Sequence, residues 1–261
     1  MASDYSSKLF WDLPEQLADT SVLPNDPLAL RFVADAVIGD GWLMPNASNY
    51  TFLVELGLGN LNGYGIYKPQ KGETPLWDFP EGSLYQRERA AYLVSELLDW
   101  NIVPPTVERE GILGVGSLQL FVPHNADSNY FTIDGDVVST MWKVAVFDVV
   151  VNNADRKASH CFQGQDGNIW CIDHGLTFHN DHKLRTVVWD FAGEEIPDSL
   201  LRDLNKLIQT VGNWELSKDD QLGLPISEEE VRALSARVKM LLSRPIMPHP
   251  LSRRDLPWPW L

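Results

Sequence analysis

Cysteine is scarce: among 261 residues it occurs only as Cys161 and Cys171. Two thiols cannot build the disulfide framework of a small secreted domain, and they fall short of a four-ligand structural zinc site. A cross-strand disulfide between them is conceivable, but reduced, buried thiols are the expectation. Basic residues are also in deficit, 21 Lys and Arg against 36 Asp and Glu, for a net charge of −15. Such a chain repels polyanions, which argues against nucleic acid as a partner and against anionic membrane surfaces unless a basic patch is concentrated somewhere. Long apolar runs are missing too. The longest candidate, Val144 to Val151, is interrupted by Asp148 and is far from the roughly 20 residues that span a bilayer, so no transmembrane segment is expected. The N-terminus has no basic stretch followed by an apolar one, so no secretory signal is expected and the cytoplasm is the expected compartment. Without that signal the acceptor patterns Asn46-Ala47-Ser48 and Asn49-Tyr50-Thr51 carry little weight.

What is present is ordinary globular material, 44% hydrophobic and 22% charged, in a chain long enough for one large domain or two lobes. Residues 1–28 are polar and punctuated by Pro14, Pro24 and Pro27, and read as an extended or loosely packed leader. Three short strands follow: Ala36-Val37-Ile38, ended by Gly39-Asp40-Gly41; Tyr50 to Leu56; and Gly63 to Tyr67. Helical spacing of Ala90, Ala91, Leu93, Val94, Leu97 and Leu98 predicts a helix from Glu81 to Trp100. Leu113 to Pro123 reads as a strand, and Met141 to Asn152 as a buried helix. Helices are expected over Ser199–Val211 and Ile226–Ser243, the second opened by a Ser227/Glu230 capping box. The tail from Pro245 to Leu261 is too rich in proline to be helical, and its Trp258 and Trp260 predict docking rather than exposure. The fold class is therefore α+β with the two-lobed organisation of a protein kinase. The expected domains are a leader over 1–28, a β-rich nucleotide-binding N-lobe over 29–123, a mainly helical catalytic and metal-binding C-lobe over 124–244, and a Pro/Trp-rich tail over 245–261.

Phosphoryl transfer needs positioned cations and an oriented acceptor more than covalent chemistry, which fixes the residue types to seek. Lys68, at the end of the third strand and followed by Pro69, is placed to reach nucleotide phosphates, and Glu88 stands 20 residues on, where an ion pair could hold that lysine. Glu81 and Glu96 are rivals to Glu88. The turn Met44 to Asn49, containing Ser48 and Asn49, is the candidate phosphate loop, with Gly57-Leu58-Gly59-Asn60 competing. The segment Asp155-Arg156-Lys157-Ala158-Ser159-His160 matches the D-x-K-x-x-N catalytic loop in its first and third positions, making Asp155 the acceptor-orienting base and Lys157 a phosphate contact. His160 occupies the asparagine position, as either a metal ligand or a packed strand histidine. Asp173 follows Asp155 by 18 residues and is the candidate for the main metal. Between them, Asp-Gly flanked by apolar runs predicts a hairpin with strands Cys161-Phe162 and Ile169 to Ile172.

Asn153-Ala154-Asp155-Arg156 followed by Ile172-Asp173-His174-Gly175-Leu176 resembles the N-x-D-R and I-D-x-G-L motifs of the phosphatidylinositol 3-/4-kinase-like superfamily. The likeness points to a small bacterial branch, beside the type II phosphatidylinositol 4-kinases and the HipA-like kinases. Ala47 to Phe52 resembles that superfamily's phosphate loop, Tyr67-Lys68-Pro69 its lysine strand, and Gly116 to Val122 its adenine-cupping hinge strand. The resemblance thus implies ATP as cofactor, with Gln119, Phe121 and Val122 near adenine, and Mg²⁺ or Mn²⁺ held by Asp173 and His160. The expected function is an ATP- and metal-dependent phosphotransferase, a protein kinase or autokinase. The acceptor is unidentified, and a protein is favoured over a lipid because the net charge is −15. Alternatives are a nucleotide-binding pseudokinase, motivated by His160, transfer of AMP, or a phosphoinositide kinase.

Overall fold

The computed structural model describes residues 9–10, 19–45, 49–217 and 223–261. The chain divides into two compact units. The first comprises residues up to Arg89 together with Pro104–Pro123, and the second comprises Ala90–Val103 and His124–Leu261.

The first unit is a six-stranded sheet with one helix against it. Its strands are β1 (Leu9–Phe10), β2 (Val37–Leu43), β3 (Phe52–Leu58), β4 (Leu61–Pro69), β5 (Thr106–Gly111) and β6 (Gly114–Leu120), in the order β1-β2-β3-β4-β6-β5. All pairings are antiparallel except β1 with β2. Period-two alternation puts Phe52, Val54 and Leu56 on one face, where they join Tyr67, Val107, Leu118 and Leu120. Helix α1 (Ala29–Asp35) covers that face with Ala29, Phe32 and Val33.

Leu58 pairs with Leu61, so β3 and β4 are joined by Gly59-Asn60, with Gly59 at φ +61°. Of the two glycines there, Gly57 lies within β3 opposite Asn62 and Gly59 makes the turn. Between β4 and β6 the backbones approach so closely that a Cβ on Gly116 would lie 2.4 Å from the Lys68 carbonyl oxygen.

Three features of this unit depart from expectation. The strand expected to end at Gly39 continues to Leu43, because a bulge between Ile38 and Gly41 absorbs the glycines without ending the ladder. Helix α1 and strand β5 were not anticipated. The described part of the expected leader is fixed rather than loose: Val22 is fully buried, and Ser21 exchanges hydrogen bonds with Asn62.

The second unit is mainly helical. Helix α2 (Leu84–Leu97) begins in the first unit and ends in the second; α3 (Val138–Val151), α4 (Asp198–Ser217) and α5 (Glu228–Ser243) follow. Val144, Phe147 and Val151 of α3 share one core with Leu200, Leu204 and Leu207 of α4 and with Val231, Leu234 and Val238 of α5. The Ser227/Glu230 capping box is formed: Ser227 Oγ accepts from Glu230 N, and Glu230 Oε2 accepts from Ser227 N. Helix α3 stops at Asn152, which turns into the left-handed region at φ 54°. The hairpin is present as β7 (Cys161–Gln163) and β8 (Ile169–Cys171), with Cys161 opposite Cys171 and both thiols free and buried.

The tail docks by its backbone, while the indoles expected to be covered stay in solvent, Trp258 at 85% and Trp260 at 52% exposure. No helix among the described residues is long and apolar enough to cross a membrane.

Candidate active site

In the first unit, β4 delivers Lys68 and α2 delivers Glu88. The Lys68 Nζ lies 2.5 Å from Glu88 Oε1, and the glutamate is almost wholly buried. Glu81 and Glu96, the rival partners, are exposed. The difference is helical phase: Glu88 shares the buried face of α2 with Tyr85 and Tyr92, at i−3 and i+4. The start of α2 is fixed by Glu73, whose carboxylate accepts from the N–H groups of Leu84 and Tyr85. Of the candidate phosphate loop, Ser48 lies outside the described residues. Asn49 ties the loop's far end to the next segment, accepting from Thr74 N through Oδ1. Along the candidate hinge, Gln119 Nε2 donates to Thr106 Oγ1, so that side chain is spent inside the sheet. Phe121 stacks edge-on to Tyr64, and Val122 is buried.

In the second unit, the segment after α3 gathers the remaining candidates. Lys157 Nζ is 3.3 Å from Asp155 Oδ2. His160 Nε2 is 3.3 Å from Asp173 Oδ2. These two pairs are joined, because His160 Nδ1 lies 3.0 Å from the carbonyl oxygen of Asp155. Lys157 N also approaches Nδ1, at 3.5 Å, but the Asp155 carbonyl is nearer and can only accept; with the imidazole proton on Nδ1 to meet it, the Nε2 lone pair turns toward Asp173. A lone pair facing a carboxylate at this distance calls for a proton or a cation between them.

A divalent ion suits the geometry. Two cis ligands at about 2.1 Å from one ion stand about 3.0 Å apart, close to the separation seen. One carboxylate and one imidazole are few ligands, and among the described residues no group of three His, Cys, Asp or Glu converges on a common point. That is the donor set expected where substrate phosphates complete the shell. Burial pushes the Asp155 carboxyl above the ordinary carboxylate range; Lys157 opposes the rise and the charge of Asp173 adds to it. A carboxylate so placed is the better proton acceptor.

The support beneath these residues was not read from the sequence. Arg156 is fully buried. Its Nε and Nη2 donate to Asp148 of α3, and its Nη1 donates to the carbonyl oxygens of His160 and Ile172. One guanidinium thereby fixes the backbone at one metal candidate and beside the other. Its Nη2 is also 2.7 Å from His174 Nε2, which must accept because arginine cannot. The Asp148 carboxylate is further held by Asn153 Nδ2 and Thr186 Oγ1. Burial pulls the Arg156 guanidinium down, but the carboxylate of Asp148 more than offsets it and holds the group above its ordinary value. The signal was present in part: an acid inside an apolar helix must find a partner, and the candidates near it in sequence are Lys143 on the same helix and Arg156 and Lys157 just beyond its end.

Comparison with known proteins gives consistent relatives. The family model described as "Phosphatidylinositol 3- and 4-kinase" matches residues 88–224. Protein Rv2133c of Mycobacterium tuberculosis is 38% identical over 272 residues, spanning 89% of this chain and 97% of that protein. Among solved structures, the Golgi casein kinase with Mn/ADP bound superposes with a TM-score of 0.51 at 14% identity, over 84% of this chain and 75% of that one. The Helicobacter pylori proinflammatory kinase CtkA gives a TM-score of 0.46 at 12% identity, over 82% and 94%. At such low identity the first structure bears on the fold alone, which is the α+β, protein-kinase-like type expected from the sequence.

Proposed function

Because this chain belongs to the phosphatidylinositol 3- and 4-kinase family, we propose that it is an ATP- and divalent-metal-dependent phosphotransferase whose acceptor is a protein hydroxyl, its own included. The kinase-type phosphotransferase class comes with the family; nucleotide, metal and acceptor are the parts proposed. The observation that carries the reading is the joined cluster in the second unit. There Asp155, Lys157, His160 and Asp173 are linked by contacts of 3.0 to 3.3 Å although 18 residues separate the two acids.

In this reading Lys68, held by Glu88, contacts the α- and β-phosphates. Asp155 orients the acceptor hydroxyl and takes its proton as the oxygen bonds to the γ-phosphorus and the bond to the β-bridging oxygen breaks, releasing ADP. Lys157 lies beside the transferred group and offsets its charge. Asp173 and His160 would hold Mg²⁺ or Mn²⁺, and the ion would supply positive charge to offset the charge that develops during transfer. A protein acceptor is favoured over a lipid by the net charge of −15, which opposes approach to anionic membranes.

The test is transfer of labelled γ-phosphate from ATP, with either metal, to the protein itself or to a mixed protein acceptor. Wild type should incorporate label and Asp155→Asn should not, with equal thermal stability showing that both are folded. A gain of the mass of AMP rather than phosphate would replace this reading by nucleotidyl transfer. Equal labelling of both proteins would dismiss Asp155 as the base.

A further inference from the structure

The tail beyond α5 belongs to no part of the mechanism above, yet it is anchored at three successive places in the second unit. The first is a run of main-chain bonds along 193–196: Ile196 N donates to the Pro245 carbonyl, Gly193 N to the Met247 carbonyl, and Met247 N to the Glu194 carbonyl, with Met247 itself buried. The second is Thr186, whose N–H donates to the Asp255 carbonyl at 3.0 Å while its hydroxyl donates to Asp148. The third is the catalytic loop: Ala158 N donates to the Trp260 carbonyl at 2.7 Å. Ala158 opens the 3₁₀ turn Ala158–His160, directly after Lys157. Of the side chains beyond Leu256 only that of Pro257 is buried, while Trp258 and Trp260 are exposed. The main-chain bond is what joins tail to loop.

We infer that the tail is a strap which positions the catalytic loop, with Trp260 a positioning residue acting through its carbonyl oxygen on Ala158. The inference rests on the phosphotransferase reading for its effect on rate, but not for the contact. An N–H at the first position of a short helical turn has no partner within that turn, so it needs one from outside. Trp260 supplies it, and thereby sets the entry angle of the turn that carries Lys157 at its start and His160 at its end. Without that acceptor, the start of the turn loses its outside partner and can shift, while Tyr130 N on the Ala158 carbonyl and Arg156 on the His160 carbonyl still hold the rest. A displacement of about 1 Å there is worth roughly a hundredfold in rate.

The experiment uses two variants of the full chain: one ending after Pro257, which removes Trp260 while keeping Met247, Asp255 and the buried Pro257, and Trp260→Ala, which keeps the carbonyl and loses only the indole. Hydrogen exchange reads the contact without reference to activity. The Ala158 amide should be protected in wild type and in Trp260→Ala, and exchange at least about tenfold faster in the shortened chain. Phosphate transfer should then show kcat lowered about tenfold to a hundredfold in the shortened chain with KM for ATP little changed, and near-wild-type values for Trp260→Ala. Equal Ala158 exchange in wild type and shortened chain would overturn the strap whatever the activity. So would a Trp260→Ala protein as slow as the shortened one, because the indole rather than the carbonyl would then matter. If the wild type transfers nothing, the phosphotransferase reading fails, and the exchange measurement alone decides the strap.

Discussion

The guanidinium of Arg156 and the carboxylate of Asp148, eight residues apart in sequence, form an ion pair with neither side chain exposed. Removing one member of such a pair leaves a buried charge with nothing to answer it. Asp148→Ala should therefore cost about 3 to 5 kcal/mol of stability, far more than a surface substitution. Replacing both residues with apolar ones should restore much of that stability while leaving transfer impaired, because the carbonyls of His160 and Ile172 lose their common donor. Denaturant unfolding of the single and double variants checks the first part, and transfer rates check the second. A double variant with full activity would show that the pair serves stability only.

A second prediction concerns Lys68 and Glu88. The carboxylate is buried and the ammonium half-buried, with the glutamate placed to hold the lysine. Lys68→Met should raise KM for ATP and lower kcat. Glu88→Gln should do the same by a smaller factor, since an amide still accepts from the lysine. The two act as a unit, so the double variant should be no worse than Lys68→Met alone. Additive losses in steady-state kinetics would mean that they work separately.

Much of the site was legible because catalytic loops concentrate charged residues in short motifs: Asp155, Lys157 and Asp173 stand out against the apolar hairpin between them. The Ser227/Glu230 box was legible for the same local reason. What escaped notice depends on distant partners. Helix α1 is only seven residues long and its N-cap, Leu28, makes no side-chain capping bond; the acceptor that marks its start, Asp26 on Leu28 N, sits in a proline-punctuated stretch that reads as leader. Strand β5 buries only Thr106 and Val107 at its start, and its remaining Glu-Arg-Glu-Gly reads as loop. Gly39 and Gly41 read as a turn, because a bulge is visible only once β3 is paired with β2. The bracing role of Arg156 depends on Asp148, Ile172 and His174, which come together only in the folded unit.

The start of α2 carries a pH-dependent term. Burial holds the Glu73 carboxyl above its ordinary value, with the charge of Glu88 adding to the rise and the N–H groups of Tyr85 and Leu84 opposing it. A carboxyl raised in the fold contributes stability that is fully present below its unfolded value and is lost as pH rises through the folded one. Glu73→Gln removes that term. The substitution should therefore cost more stability at about pH 4 than at about pH 7, while Glu73→Ala, which leaves two N–H groups without an acceptor, should cost about 1 to 2 kcal/mol. Thermal melts across that range give both. A penalty for Gln that grew with pH would reverse the sign argued here.

His160 is where this chain departs from the asparagine of kinase catalytic loops, and its geometry makes a definite claim about metal. In the proposed site, with the imidazole proton on Nδ1 toward the Asp155 carbonyl, Nε2 and Asp173 Oδ2 would offer one nitrogen and one oxygen to a shared ion. Imidazole suits Mn²⁺ better than Mg²⁺, which prefers oxygen throughout. Wild type should therefore transfer phosphate faster with Mn²⁺ than with Mg²⁺. His160→Asn should shift that ratio toward Mg²⁺ by about tenfold, since an amide oxygen replaces the nitrogen, and His160→Ala should lower the rate with both. A packed strand histidine would give a different pattern: both variants would lose stability, and the metal ratio would stay at its wild-type value. Initial rates with each metal, alongside melting temperatures, separate the two. An unchanged ratio in His160→Asn would remove the histidine from the metal site and leave Asp173 as the protein's sole ligand there.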